Sequence, residues 1–62
     1  MDLQIGHSYK LQIKIGDKIL TFTCEIIKVD ADFITFKDKY GEVHSYHRST
    51  IMSYTGVSNG SS

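Results

Sequence analysis

The chain of 62 residues contains no proline and no tryptophan, and it has a single cysteine. Without proline, every position can donate to a β-ladder. The lone thiol, Cys24, excludes an intrachain disulfide. One Cys with three His also excludes the common cysteine-rich, four-ligand zinc site. Charge of one sign is missing too: Lys and Arg total seven, Asp and Glu total seven, and the net charge is zero with His neutral. Coating of nucleic acid by wholesale phosphate neutralisation needs clustered excess Lys and Arg, so the balance weighs against that class, while a local basic patch stays open. No apolar run approaches the ~20 residues of a membrane span. The start, MDLQIGHSYK, has no basic segment followed by an apolar one, so no signal peptide is expected. A free thiol in such a chain suits a reducing compartment, and a cytoplasmic location is expected. A domain this small buries only about 60% of its unfolded surface. With disulfide and metal removed from the means of support, assembly with further copies is the expected one.

What the chain does have is β-branched and aromatic residues at alternating positions. Tyr9, Leu11, Ile13 and Ile15 alternate with Lys10, Gln12 and Lys14, which is a half-buried strand with a basic outer face. Gly16-Asp17-Lys18 reads as a turn. Leu20, Phe22, Cys24 and Ile26 then alternate with Thr21, Thr23 and Glu25. The alternation slips at Ile26-Ile27, after which Ile27 and Val29 carry the apolar face. A slip of one inside a long strand predicts a β-bulge or a sharp bend. Asp30-Ala31-Asp32 is a turn, and Phe33–Phe36 a third strand with Ile34 and Phe36 on one side. Asp38-Lys39-Tyr40-Gly41 is a hairpin turn with Gly at a position of positive φ. Val43–Arg48 is a fourth strand, Ser49-Thr50 a tight connection of 3₁₀ type, and Ile51–Tyr54 a short fifth strand. Beyond one short turn in the first six residues, no helix is legible. The sum is an all-β, five-stranded SH3-like barrel over residues 1–55, with a strongly bent second strand. The Gly/Ser/Asn-rich residues 56–62 form a flexible tail.

With the strands placed, the chain resembles the Sm-like and Hfq-like family of small RNA-binding barrels. The resemblance rests on residues 13–42, IKIGDKILTFTCEIIKVDADFITFKDKYGE, and 43–54, VHSYHRSTIMSY. Cys24 stands where the family has a glycine, Asp30 at its usual aspartate, and Phe33, Ile34 and Phe36 in its third strand. Tyr46-His47-Arg48-Ser49-Thr50-Ile51 is similar in composition to the family's Tyr-Lys-His, small residue, Ile. The family's uracil-reading asparagine is absent, with Asp32 nearest to it, and the Sm Arg-Gly pair is missing. The resemblance implies an Sm-like fold, a homo-oligomeric ring and single-stranded RNA as partner. It implies an RNA site of Tyr46, His47 and Arg48, with Asp32 and Phe33 as the other half of a nucleotide pocket.

The residues themselves suit that chemistry. Single-stranded RNA is held by planes for stacking and cations for phosphate, and Tyr46, His47 and Arg48 supply both. The bland alternative is a surface strand with Tyr46 half-buried. Asp30 and Asp32 are equally ordinary turn formers, Phe33 an ordinary core residue, and Lys10, Gln12, Lys14 and Lys18 an ordinary solvated face. His44 and His47 are three apart on a strand and point to opposite faces, which argues against a joint metal site. Cys24, on the apolar face with Phe22 and Ile26, reads as a small hydrophobe rather than a nucleophile. No paired carboxylates or Gly-rich phosphate loop are present, and neither an enzyme nor a cofactor is expected. In a ring, Ile51, Met52 and Tyr54 of the last strand would add to the exposed edge of a neighbour. A different class fits the same barrel: a non-enzymatic protein-interaction or structural module without nucleic-acid binding. The neutral charge favours it.

Overall fold

A computed structural model describes residues 3–57. The elements are β1 (Ser8–Ile15), β2 (Lys18–Val29), β3 (Phe33–Asp38), β4 (Val43–His47), a single 3₁₀ turn η1 (Arg48–Thr50) and β5 (Ile51–Gly56). All five strands lie in one antiparallel sheet in the order β4-β3-β2-β1-β5. Among the described residues, β4 is bonded only to β3 and β5 only to β1, so the ladder is open at these two edges.

The register follows from pairing like faces. On one face of β1 and β2, Tyr9 lies opposite Cys24, Leu11 opposite Phe22 and Ile13 opposite Leu20. On the other, Lys10 and Gln12 meet Thr23 and Thr21. The apolar face closes over a core that includes Leu11, Ile13, Ile26, Ile34 and Phe36, all fully buried. Alternation within the first and third strands thus matches the sequence expectation. Ile15 departs from it and is exposed, as are Ile19 and Leu20. The β1–β2 hairpin runs past the point where β5 and β3 stop pairing, at Ile13 and Cys24. Among the described residues, its tip therefore has no neighbouring strand to cover it.

β2 serves two partners. Lys18–Glu25 bonds β1, and Cys24–Val29 bonds β3. A register shift between Ile26 and Lys28 makes Ile27 the extra residue of a bulge, where the sequence alternation slips. Ile27 itself was expected on the apolar face and is instead 40% exposed, because the bulged residue turns away while Val29 resumes the inward side opposite Ile34. A second shift, between Gln12 and Ile13 on the β1–β5 ladder, leaves Met52 as the extra residue of β5. The segment before β1 continues along β2: Gly6 N–H donates to the Ile26 carbonyl (2.8 Å), and Ile26 N–H donates to His7 (3.0 Å).

Two hairpin turns carry glycines at positive φ, Gly16 (60°) and Gly41 (85°), as the turn chemistry requires. At the second, Asp38 Oδ1 accepts the N–H groups of Tyr40 (2.8 Å) and Glu42 (2.9 Å). β5 extends two residues beyond the expected Tyr54, and Val57 N–H adds a bond to the Ser8 carbonyl (3.0 Å). So residues 56 and 57 belong to the sheet edge rather than to a tail. The rest of the Gly/Ser/Asn-rich segment, 58–62, lies outside the described residues. No helix among the described residues is long and apolar enough to cross a membrane.

Candidate functional site

The turn before β3 and the end of β4 meet at one corner of the sheet. Asp30 N–H donates to the Phe33 carbonyl (2.9 Å) and closes the turn. Phe33 then pairs across the ladder with His47, the two rings meeting edge to face at 5.4 Å and 78°. One step further, Arg48 N–H donates to the Asp32 carbonyl at 2.8 Å, and Arg48 Nη1 donates to the Ala31 carbonyl at 3.3 Å. Four of the five residues predicted to contact RNA, Asp32, Phe33, His47 and Arg48, are thereby brought together from two stretches some fifteen residues apart.

His47 is fixed by the turn that follows it. It is the N-cap of η1, and its Nδ1 accepts the Ser49 N–H at 3.1 Å with the Ser49 hydroxyl at 2.8 Å. Thr50 Oγ1 donates back to the His47 carbonyl at 2.7 Å. With Nδ1 used as acceptor, the neutral ring carries its hydrogen on Nε2, a donor directed away from the turn. Phe33 is 48% exposed, an uncovered ring at a strand end. The corner thus offers an aromatic plane, an imidazole donor and a guanidinium with donors to spare. Such a set holds a flat base and its phosphate.

Tyr46 does not join them. It pairs with Ile34 and turns to the core side, where its ring lies parallel to Phe36 (5.9 Å, 18°) and to His44 (6.3 Å, 18°). Period two separates neighbours on a strand, so Tyr46 and His47 cannot share a face. The same rule places His44 and His47 on opposite sides, as expected. Phe22 touches Phe36, His44 and Tyr46 at 5.1, 5.0 and 6.0 Å, completing a half-buried aromatic column.

A second polar group sits at the base of that column. His44 Nε2 and Asp38 Oδ2 are 2.8 Å apart. The His44 hydrogen bond above all holds the Asp38 carboxyl below its ordinary range; burial opposes it, and the Glu42 and Tyr40 N–H groups add lesser lowering contributions. Asp38, Glu42 and His44 are the one group of possible metal ligands among the described residues, with ligand atoms within 4.8 Å. Both Asp38 oxygens are already committed to the hairpin, which accounts for the cluster without an ion. Sequence inspection missed this pair; its signal is an Asp at the end of β3 and a His at the second position of β4, set diagonally on one side of the hairpin because His44 lies opposite Phe36.

Of the residues expected at an oligomer edge, Ile51 is buried in the chain's own core. Tyr54 is half-buried, edge to face with Tyr9 at 5.9 Å. Met52 is exposed, displaced outward by the bulge in β5. Cys24 is buried and donates weakly to the Tyr9 carbonyl (Sγ to O, 3.6 Å). Burial, and secondarily the Asp38 charge, push its thiol up to about 11. A thiol so held is protonated and a poor nucleophile.

Comparison with known proteins found no matching family model, no similar curated protein and no similar solved structure.

Proposed function

We propose that this chain is a small, non-enzymatic, Sm-like RNA-binding protein of the cytoplasm, which assembles as a homo-oligomeric ring and holds single-stranded RNA. The corner of Phe33, His47 and Arg48 carries the reading: a half-exposed ring beside a fixed imidazole and a guanidinium tied to the adjacent turn. Two further features support it. A strand that serves two partners and bulges between them lets a five-stranded sheet curl towards an SH3-like barrel. Among the described residues, β4 and β5 are the outer strands at opposite ends of one sheet, each bonded to a strand on one side. A head-to-tail contact of β5 on a neighbour's β4 satisfies both edges, and if its rotation closes it generates a ring. Repetition around that ring turns one Arg48 per neutral chain into a concentrated positive site.

A second reading has one observation in its favour. The same open edges, on a chain without net charge, suit addition of a strand from a different protein. Light scattering over a range of concentrations separates the two. A closed assembly of several chains is expected of the ring, whereas a monomer at every concentration overturns it. The RNA claim is tested by retention of single-stranded RNA at low salt. Arg48→Ala is expected to weaken retention and flatten its salt dependence, and absence of retention by the unaltered protein overturns the claim.

A further inference from the structure

We infer that the corner selects guanine among the four RNA bases, with the Asp32 carboxylate reading the base stacked on Phe33; the inference rests on the RNA reading above. Asp32 lies between the two anchors of the corner. Its carbonyl is bonded to Arg48 N–H at 2.8 Å, and its chain neighbours are Ala31, which holds the Arg48 guanidinium, and Phe33. Its side chain is different in kind from the rest of the site. It is exposed, and its carboxylate makes no hydrogen bond or ion pair among the described residues. The guanidinium next door bonds to a backbone carbonyl and leaves this carboxylate unneutralised.

A carboxylate has two oxygens side by side and accepts only. The base that complements it presents two adjacent donors. Guanine does so on its Watson–Crick edge, through N1–H and the 2-amino group. Uracil presents one donor, N3–H, between two carbonyl oxygens. Adenine and cytosine each present an amino group beside a bare ring nitrogen, whose lone pair faces the second oxygen. Only guanine therefore satisfies both oxygens without repulsion. Its O6 on the same edge requires a donor, and the corner holds two kinds: the spare N–H groups of Arg48 and the Nε2–H of His47. Edge readout of an unstacked base is available in single-stranded RNA.

The test is fluorescence anisotropy at low salt with labelled hexanucleotides: all-uridine, and the same strand with one central guanosine, adenosine, cytidine or inosine. The guanosine strand is expected to bind about tenfold more tightly than the all-uridine strand. Inosine keeps N1–H and O6 but lacks the 2-amino group, and is expected to lose most of that gain. Asp32→Asn, an exposed and near-isosteric change, is expected to abolish the guanosine preference while strengthening binding of the all-uridine strand. Equal binding of all strands, or a guanosine preference that survives in Asp32→Asn, overturns the inference and leaves RNA binding standing. Failure of every strand to bind overturns both.

Discussion

Cys24 and Asp38 approach each other across the β2–β3 ladder, opposite one another in register, and their titrations are displaced in opposite directions. The Cys24 thiol is raised from 9.0 to about 11, first by burial and then by the Asp38 charge. A raised folded pKa contributes stability that is complete below the unfolded value and lost as pH climbs through the folded one. Stability from this thiol should therefore decline between about pH 9 and 11. Thermal melts across that range are expected to fall more steeply for the native chain than for Cys24→Ala. Labelling by a disulfide reagent at pH 8 should be slow in the folded protein and fast in denaturant. Asp38 has the reverse sign. Its folded pKa lies below 3.8, so the stability it brings is present above 3.8 and is lost as pH falls beneath it. Asp38→Asn keeps an oxygen for the Tyr40 and Glu42 N–H groups but has no carboxyl to titrate. Melts from pH 5 to pH 2 should show a shallower acid decline for Asp38→Asn than for the native chain. A parallel decline in the two would count against the His44–Asp38 pair as its source.

The second strand shows where sequence patterning reaches its limit. Two adjacent isoleucines at 26 and 27 break the alternation, so the existence of a bulge was legible. Which of the two turns outward was not, because period two on either side of the slip fits both choices. The ladder with β3 decides it, pairing Ile26 with Phe36 and leaving Ile27 over. Deleting Ile27 should leave Ile26 opposite Phe36, Lys28 opposite Thr35 and Val29 opposite Ile34 in unbroken alternation, removing the bulge and the local bend it gives β2. That deletion is expected to lower the urea midpoint by straightening β2 while cooperative unfolding is kept, and loss of cooperativity would show that the bulge is needed for the sheet to form. Ile27→Thr keeps the β-branched shape at an exposed bulge and should change stability by less than about 0.5 kcal/mol. The same limit explains the reading of Tyr46, His47 and Arg48 as one site. Their composition was informative, but strand geometry sends Tyr46 to the aromatic column. The partners of His47 and Arg48, namely Phe33 and the carbonyls of residues 31 and 32, become visible only once the Asp38–Glu42 hairpin sets the β3–β4 register. The last strand was read too short because Thr55 and Gly56 carry no pattern. Their place is dictated by backbone bonds to β1.

At the scale of the whole molecule, the order β4-β3-β2-β1-β5 leaves two edges and puts the exposed Met52 on one of them. If copies join through these edges, a charge on β5 should oppose joining without touching the core. Met52→Lys is expected to lower the native mass measured by light scattering while leaving the circular dichroism of the strands unchanged. A native mass unaffected by Met52→Lys would place the contact elsewhere.

The ladder between β1 and β5 has one more consequence. It pairs Tyr9 with Gly56 and ties Val57 to Ser8, so the first and last strands run side by side while almost the entire chain lies between them. Every other ladder joins strands that follow one another along the chain, across a short turn. The β1–β5 ladder alone must wait for a long loop to close, and it is the slow, entropically expensive event of the search. A circular permutant that splices residue 8 to residue 57 through a short linker, and opens the exposed hairpin at Tyr40, would convert that distant meeting into a local one. The permuted chain would then reach the same sheet by an easier route, with the cost of closure transferred to the pairing of β3 with β4.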